Sequence, residues 1–389
     1  MKRSEIAFDI VTAQPRAWSI LSRSFLAGRV ASCYLFTGPY GSGHWALASA
    51  FASLLNCRQR VDGGDPDGNR TVRPCGQCPP CRTIAAINFE GLYPVVPIQT
   101  YKNDIEKFEF LNACLDRLRE EPLAMIEEEK AATIRIEQSR DVKLTLSRRG
   151  SEEIVRVAIF DRAQKMRDDS ADSLLKLIEE PPPRTVIILT AERAESLLPT
   201  IQSRAQEVRL ARSPEAMIAQ YLETAYGAPS KQAVLLARLA EGLPGRAIRL
   251  MGPEDEEEAP IRSVAWLVFK LLFQRPSGEA MQVAMEQLAS RGRSDIEQSL
   301  LLWQSLIRDC ADFAIRSQPD QLTNVDFADE LMKLSRPFEA SGLAESLLIA
   351  IKNTLADLYL NVHIHTALAA LVLKMRAAIR QAESTAVVS

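Results

Sequence analysis

The first chemistry-bearing stretch is Gly38-Pro-Tyr-Gly-Ser-Gly43. A glycine loop set between a buried strand and a helix can cradle phosphates with its backbone N–H groups. A Lys after the last glycine then neutralises β/γ charge, and a Ser or Thr holds Mg²⁺. Gly38, Gly41 and Gly43 have the required spacing, but His44 stands at the Lys position and Trp45 at the Ser/Thr position. A histidine is mostly neutral at pH 7. An indole has no oxygen for Mg²⁺, and its bulk could occupy the phosphate space. The loop alone fits a decayed nucleotide site or a turn that never bound nucleotide.

A second apolar run, Val157-Ala-Ile-Phe160, leads into Asp161 and Arg162. An acid at such a strand end can support Mg²⁺, and a Glu after it can polarise water. The guanidinium of Arg162 cannot serve as a base. His44, Trp45 and Arg162 are therefore three separate departures from ATPase chemistry.

The third group is Cys75-Gly-Gln-Cys78-Pro-Pro-Cys81, with Cys57 as a plausible fourth thiol. Tetrahedral Zn²⁺ takes four such ligands in a closed structural site, and Gly and Pro turns let close cysteines converge. The alternative is a set of unligated reduced thiols. Cys33, Cys114 and Cys310 sit alone in apolar segments and read as small buried hydrophobes. His363 and His365 lie far along the chain and read as packing or surface residues.

Strands and helices must position these groups. Cys33–Thr37, Leu92–Ile98, Val155–Phe160, Thr185–Thr190 and Glu207–Leu210 read as strands, alternating with helical stretches such as Trp45–Leu55 and Ser170–Glu180. That alternation predicts a parallel sheet covered on both faces. Residues 61–74, rich in Gly, Asp and Pro, read as a loop. Glu120–Lys130 reads as a solvated connection or helix. After about Ser213 the strand signals stop. The expected domains are an α/β domain over 1–212 with the cysteine module at about 57–81, a small helical domain over 213–252, an acidic linker over 253–260, a helical domain over 261–382 and a tail over 383–389.

The chain has 389 residues, 47 basic and 50 acidic side chains and a net charge of −3. A protein that coats nucleic acid by bulk charge would be basic. No run is long and apolar enough for a membrane span, and Met1–Ile20 does not read as a signal peptide. A cytoplasmic protein is expected.

The ordered motifs carry a resemblance. Asp161-Arg-Ala-Gln-Lys-Met166, Ala171-Asp-Ser-Leu-Leu-Lys-Leu-Ile-Glu-Glu-Pro-Pro182, Val186-Ile-Ile-Leu-Thr190, Leu198-Pro-Thr-Ile-Gln-Ser-Arg204, Gly242-Leu-Pro-Gly-Arg246-Ala247 and Asn361–Arg376 resemble bacterial DNA polymerase III clamp-loader subunits. The likeness spans about residues 10–250, and weakly the remainder. It implies an AAA+ P-loop α/β domain with an inserted zinc module, a helical lid and an all-helical collar. It also implies a hetero-pentamer of gamma/tau- and delta-type partners that loads a sliding clamp onto primed DNA, with no membrane.

Among such subunits the degenerate loop resembles the delta-prime type, which hydrolyses no ATP by itself, and no long tau-like extension is expected. The resemblance makes Ser203-Arg204 an arginine finger reaching a neighbour's ATP, where Ala205 departs from the usual Cys. It makes Thr190 a sensor-1-like residue and Arg246 a sensor-2-like one, although Arg246 could equally be structural at a helix start. It carries Cys57, Cys75, Cys78 and Cys81 over as structural zinc ligands. The rival readings are a gamma/tau-type ATPase subunit, a zinc-stabilised interaction module without catalysis, and a different AAA+ remodeller.

Overall fold

The computed structural model describes residues 8–101, 103–126, 132–148, 153–251, 261–274, 278–290, 293–316, 322–339, 342–359 and 362–386. The acidic stretch 252–260 and residues 127–131 lie outside the described residues. The chain divides into two compact units, residues 1–249 and 250–389.

In the first unit, apolar runs that are buried throughout form the inner strands of a five-stranded sheet. The chain order is β1 (Cys33–Thr37), β2 (Val61–Gly64), β3 (Arg70–Arg73), β4 (Leu92–Val95), β5 (Arg156–Phe160), β6 (Thr185–Ala191) and β7 (Gln206–Arg209). The main sheet runs β4-β5-β6-β1-β7, and every pairing in it is parallel. Each strand therefore needs a crossover, and the helices supply two covering layers.

The alternation along β1 sorts the layers. Cys33 and Leu35 join Ala158, Phe160, Ile187 and Leu189 in a core with Val142, Leu146, Leu174, Leu177 and Ile178 of helices Ile136–Ser147 and Asp168–Glu179. Tyr34 points the other way, its ring 5.2 Å from that of Phe51 on the helix His44–Asn56. The β5 side chain of Arg156 is buried and donates to the carbonyls of Leu146 (2.7 Å) and Arg148 (2.9 Å). It thereby satisfies carbonyls that the end of helix Ile136–Ser147 leaves without partners.

The segment expected to be a loop over 61–74 contains the antiparallel hairpin β2–β3. Its turn is organised by Asp65, which accepts from the backbone N–H groups of Asp67 (3.1 Å) and Asn69 (2.7 Å). Hydrogen bonds from the Ser19 hydroxyl and Asn69 hold that carboxyl low, at about 2. Trp18 Nε1 donates to the Val72 carbonyl (3.0 Å), and Val72 N to Ser22 Oγ (2.6 Å). These contacts fasten the hairpin to the helix Pro15–Leu26.

Helices Glu215–Tyr226 and Ser230–Leu239 and all but the last residue of Pro244–Leu250 complete the first unit. The second unit is helical among its described residues. Its longest helices are Arg293–Arg316, Leu343–Tyr359 and Ile364–Ala386. The last of these runs past the expected end of the helical domain at 382. Trp303, Phe269, Leu306 and Met375 are fully buried there. No helix among the described residues is long and apolar enough to cross a membrane.

Candidate functional site

Parallel strands bring their C-terminal ends to one edge of the sheet, where open α/β sheets bind ligands. Here that edge gathers the loop after β1, Asp161 after β5 and Thr190 near the end of β6. Gly43 takes a left-handed φ of 94° as it caps the helix His44–Asn56, a conformation that glycine adopts without strain. The strand, the glycine turn and the helix start thus have the placement of a phosphate cradle.

What fills the cradle is protein. The segment Glu121–Ile126 crosses it, and the cavity left among Tyr40, Gly43, His44, Leu123, Met125 and Asp161 is about 20 Å³. That is room for about one water molecule. The Tyr40 hydroxyl accepts from Ile126 N (2.9 Å). A Cβ at Gly43 would lie 3.0 Å from Leu123 Cδ2, and one at Gly245 would collide with the Leu123 carbonyl.

The short helices clamp the segment from outside. Glu121 is buried and accepts from the hydroxyls of Tyr221 (2.7 Å) and Tyr226 (2.6 Å). Gly245 N donates to the Gly41 carbonyl (2.9 Å). The reading of Glu120–Lys130 as a solvated connection therefore fails over Glu121–Ile126, where Leu123 and Ile126 are buried as well. The indole of Trp45 lines the remaining cavity, but the crossing segment fills most of the space.

The charged groups are paired within the chain. Asp161 accepts from Arg162 Nε (3.0 Å) and Thr190 Oγ1 (3.0 Å), and Arg162 N donates to Thr190 Oγ1 (2.8 Å). Arg162 and Asp161 are both buried, so the guanidinium supplies beside the carboxylate the positive charge that a metal ion would bring. His44 is buried. Desolvation pushes its imidazole down to about 4, although the Asp161 carboxylate opposes the shift, so it is neutral at pH 7. Its Nε2 has no hydrogen-bond partner among the described residues. Arg246 is nearly buried and lies 3.9 Å from Glu241 across an ion pair.

Arg204 lies elsewhere and is open to solvent. It follows the short helix Pro199–Gln202, and its side chain is 39% exposed. Nη1 donates to the Thr200 carbonyl (2.9 Å) and Ser203 Oγ (3.2 Å), and Nη2 pairs with Glu179 Oε1 at 2.8 Å.

The four cysteines converge. The sulfurs of Cys57, Cys75, Cys78 and Cys81 all lie within 4.8 Å of one another. Cys57 ends the helix His44–Asn56, Cys75 follows β3, and Cys78 caps the helix Pro79–Ala85 that carries Cys81. Cys75 N donates to Cys57 Sγ (3.3 Å) and Cys78 N to Cys75 Sγ (3.3 Å). Burial pushes Cys57 and Cys81 up. Burial opposes ionisation of Cys78 too, yet N–H donors at Arg58 and Cys81 and the neighbouring thiols bring it down to about 6. Four bare thiolates would repel one another here, and a divalent cation removes that obstacle. The donor set fits a soft, four-coordinate metal ion. Cys33, Cys114 and Cys310 are buried singly, as expected, and His363 and His365 are exposed and stacked on each other.

Residues 13–214, more than half the chain, match the family described as DNA polymerase III, delta subunit. The chain belongs to that family. Among the curated relatives of this delta-family chain, DNA polymerase III subunit gamma/tau of Mycobacterium tuberculosis is 27% identical over 198 residues, covering 51% of this chain and 27% of the relative. Subunit delta' of Pseudomonas aeruginosa is 29% identical over 253 residues, 64% of each chain. Subunit delta' of Bacillus subtilis is 24% identical over 364 residues, 87% of this chain and 96% of the relative. The match to the gamma/tau subunit thus spans about a quarter of that relative's length. The family expected from the ordered motifs is the one found.

Proposed function

We propose that this chain is a delta-prime-type AAA+ subunit of a bacterial clamp loader, that it hydrolyses no ATP itself, and that it offers Arg204 to the ATP of a neighbouring subunit. The observation that carries the reading is a contrast within one unit. The phosphate cradle is filled by Glu121–Ile126, while Arg204 stays exposed. Nucleotide chemistry is closed off where a chain would use its own ATP, and a phosphate-binding group is kept where another chain can meet it. The relatives carry both delta' and gamma/tau names. The gamma/tau reading needs a lysine at His44, a base at Arg162 and an open cradle, and the chain has none of the three.

In this reading the buried Asp161–Arg162–Thr190 group is a neutralised remnant of a metal-supporting site, and Arg246 has a structural role through its pair with Glu241. The ion held by Cys57, Cys75, Cys78 and Cys81 is Zn²⁺, with a purely structural role because all four positions are taken by protein. The second helical unit forms the collar joining the chain to gamma/tau- and delta-type partners in a pentamer that acts on the sliding clamp. With a net charge of −3, contact with primed DNA belongs to the assembled complex and runs to backbone phosphate. Such a complex works in the cytoplasm.

The test is titration of the purified chain with a fluorescent ATP analogue and Mg²⁺, for the wild type and His44→Lys. Neither protein binds at millimolar nucleotide, because one lysine does not move Leu123 out of the cradle or displace Arg162 from Asp161. Micromolar binding or steady hydrolysis by the wild-type chain would overturn the reading.

A further inference from the structure

The ion pair between Arg204 and Glu179 has no evident use in the fold. Both side chains are substantially exposed, at 39% and 45%, and an exposed pair adds little to stability. Glu179 is moreover the last residue of the helix Asp168–Glu179, where a carboxylate faces the negative end of the helix dipole. For the helix itself it is a poor choice of residue.

Its mounting is rigid. Leu174, Leu177 and Ile178 of the same helix are buried in the sheet core. At the other end of the helix, the Ser170 hydroxyl is 2.6 Å from that of Ser139. After Glu180, Pro181, Pro182 and Pro183 fix the chain's exit. The backbone that carries Glu179 is thus fixed beside the rotamer-rich side chain of Arg204.

We infer that Glu179 is a positioning residue for Arg204, holding its guanidinium oriented before a neighbour's nucleotide arrives. This rests on the proposed role of Arg204. A guanidinium has five N–H donors in a planar fork. Nη1 is committed to Thr200 and Ser203 and Nη2 faces Glu179, while Nε makes no hydrogen bond among the described residues. The tether therefore leaves an edge of the fork for a phosphate oxygen. It also removes, in advance, rotamer freedom that Arg204 would otherwise lose on meeting the transferred phosphoryl group.

The experiment uses the complete reconstituted complex with clamp and primed DNA, and four forms of this chain: wild type, Glu179→Ala, Arg204→Ala and the double variant. The rate at the site bordering this chain is resolved by single-turnover hydrolysis against ATP concentration for each, with complex assembly checked by gel filtration. Glu179→Ala lowers kcat at the neighbour's site about threefold to tenfold, leaves KM for ATP and assembly unchanged, and has no further effect when Arg204 is already Ala. Glu179→Gln, which keeps an oxygen acceptor without the charge, falls between. A normal kcat for Glu179→Ala beside a collapsed Arg204→Ala would overturn this inference alone. So would an equal loss in both backgrounds, or a loss matched by failed assembly. An Arg204→Ala complex with normal kcat would overturn the role of Arg204 first and this inference with it.

Discussion

Arg204→Ala in the assembled complex slows ATP turnover at the neighbouring site by about 10³-fold, the lower range for loss of an arginine finger. The expected effect is large because, in the proposed role, the guanidinium meets charge that develops only as the phosphoryl group transfers. ATP binding at that site stays near its wild-type level, and sites that do not border this chain keep their rates. Single-turnover hydrolysis accordingly splits into a fast class and a very slow class. Arg204→Lys recovers only part of the loss, since an ammonium keeps the charge but lacks the planar fork. The folded chain should not notice either change, because the side chain is exposed and its ion pair contributes little to stability. One uniform rate, unchanged from wild type, would contradict the role.

Loss of the metal has the second large effect. Structural zinc contributes on the order of 10–16 kcal/mol to small zinc domains, and here the four cysteines proposed to hold it tie together a helix end, the exit of a hairpin and the helix Pro79–Ala85. Purified chain should hold about one zinc per molecule by elemental analysis, a ratio set by one closed four-cysteine site. Cys78→Ser or Cys81→Ser should abolish that stoichiometry and make residues 57–81 sensitive to protease, with the five-stranded sheet still folded. The sheet survives because its core comes from β1, β4, β5, β6 and the helices over them. Full zinc content in either variant would show that the sulfurs converge without holding the ion.

The sequence made some of this legible for definite reasons. The inner strands β1, β5 and β6 are buried on both faces, so they hold continuous apolar runs such as Val186–Leu189, and parallel pairing follows from the helices between them. The glycine loop and the cysteine cluster are visible because their spacing is local. The hairpin over Val61–Arg73 was hidden by its composition. Gly63, Gly64 and Gly68 with Asp62, Asp65 and Asp67 look like loop chemistry, and contacts with Trp18, Ser19 and Ser22, far away in sequence, help hold it as paired strands.

The crossing segment Glu121–Ile126 was hidden in the same way. Glutamates dominate its surroundings, and Glu121 is buried only because Tyr221 and Tyr226, a hundred residues on, present their hydroxyls to it. Pro122-Leu123, an apolar step directly after paired glutamates, was the one local signal. The ion pair joining Glu179 to Arg204 spans two motifs that read separately as a helix end and a finger. No spacing rule connects them.

The most direct test of the account is a clamp-loading assay with this organism's gamma/tau- and delta-type subunits, clamp and primed DNA, run with and without this chain. The account predicts that the complex forms and loads clamp only when the chain is present, and that the chain alone turns over no ATP. Full loading and full ATPase in its absence would contradict it.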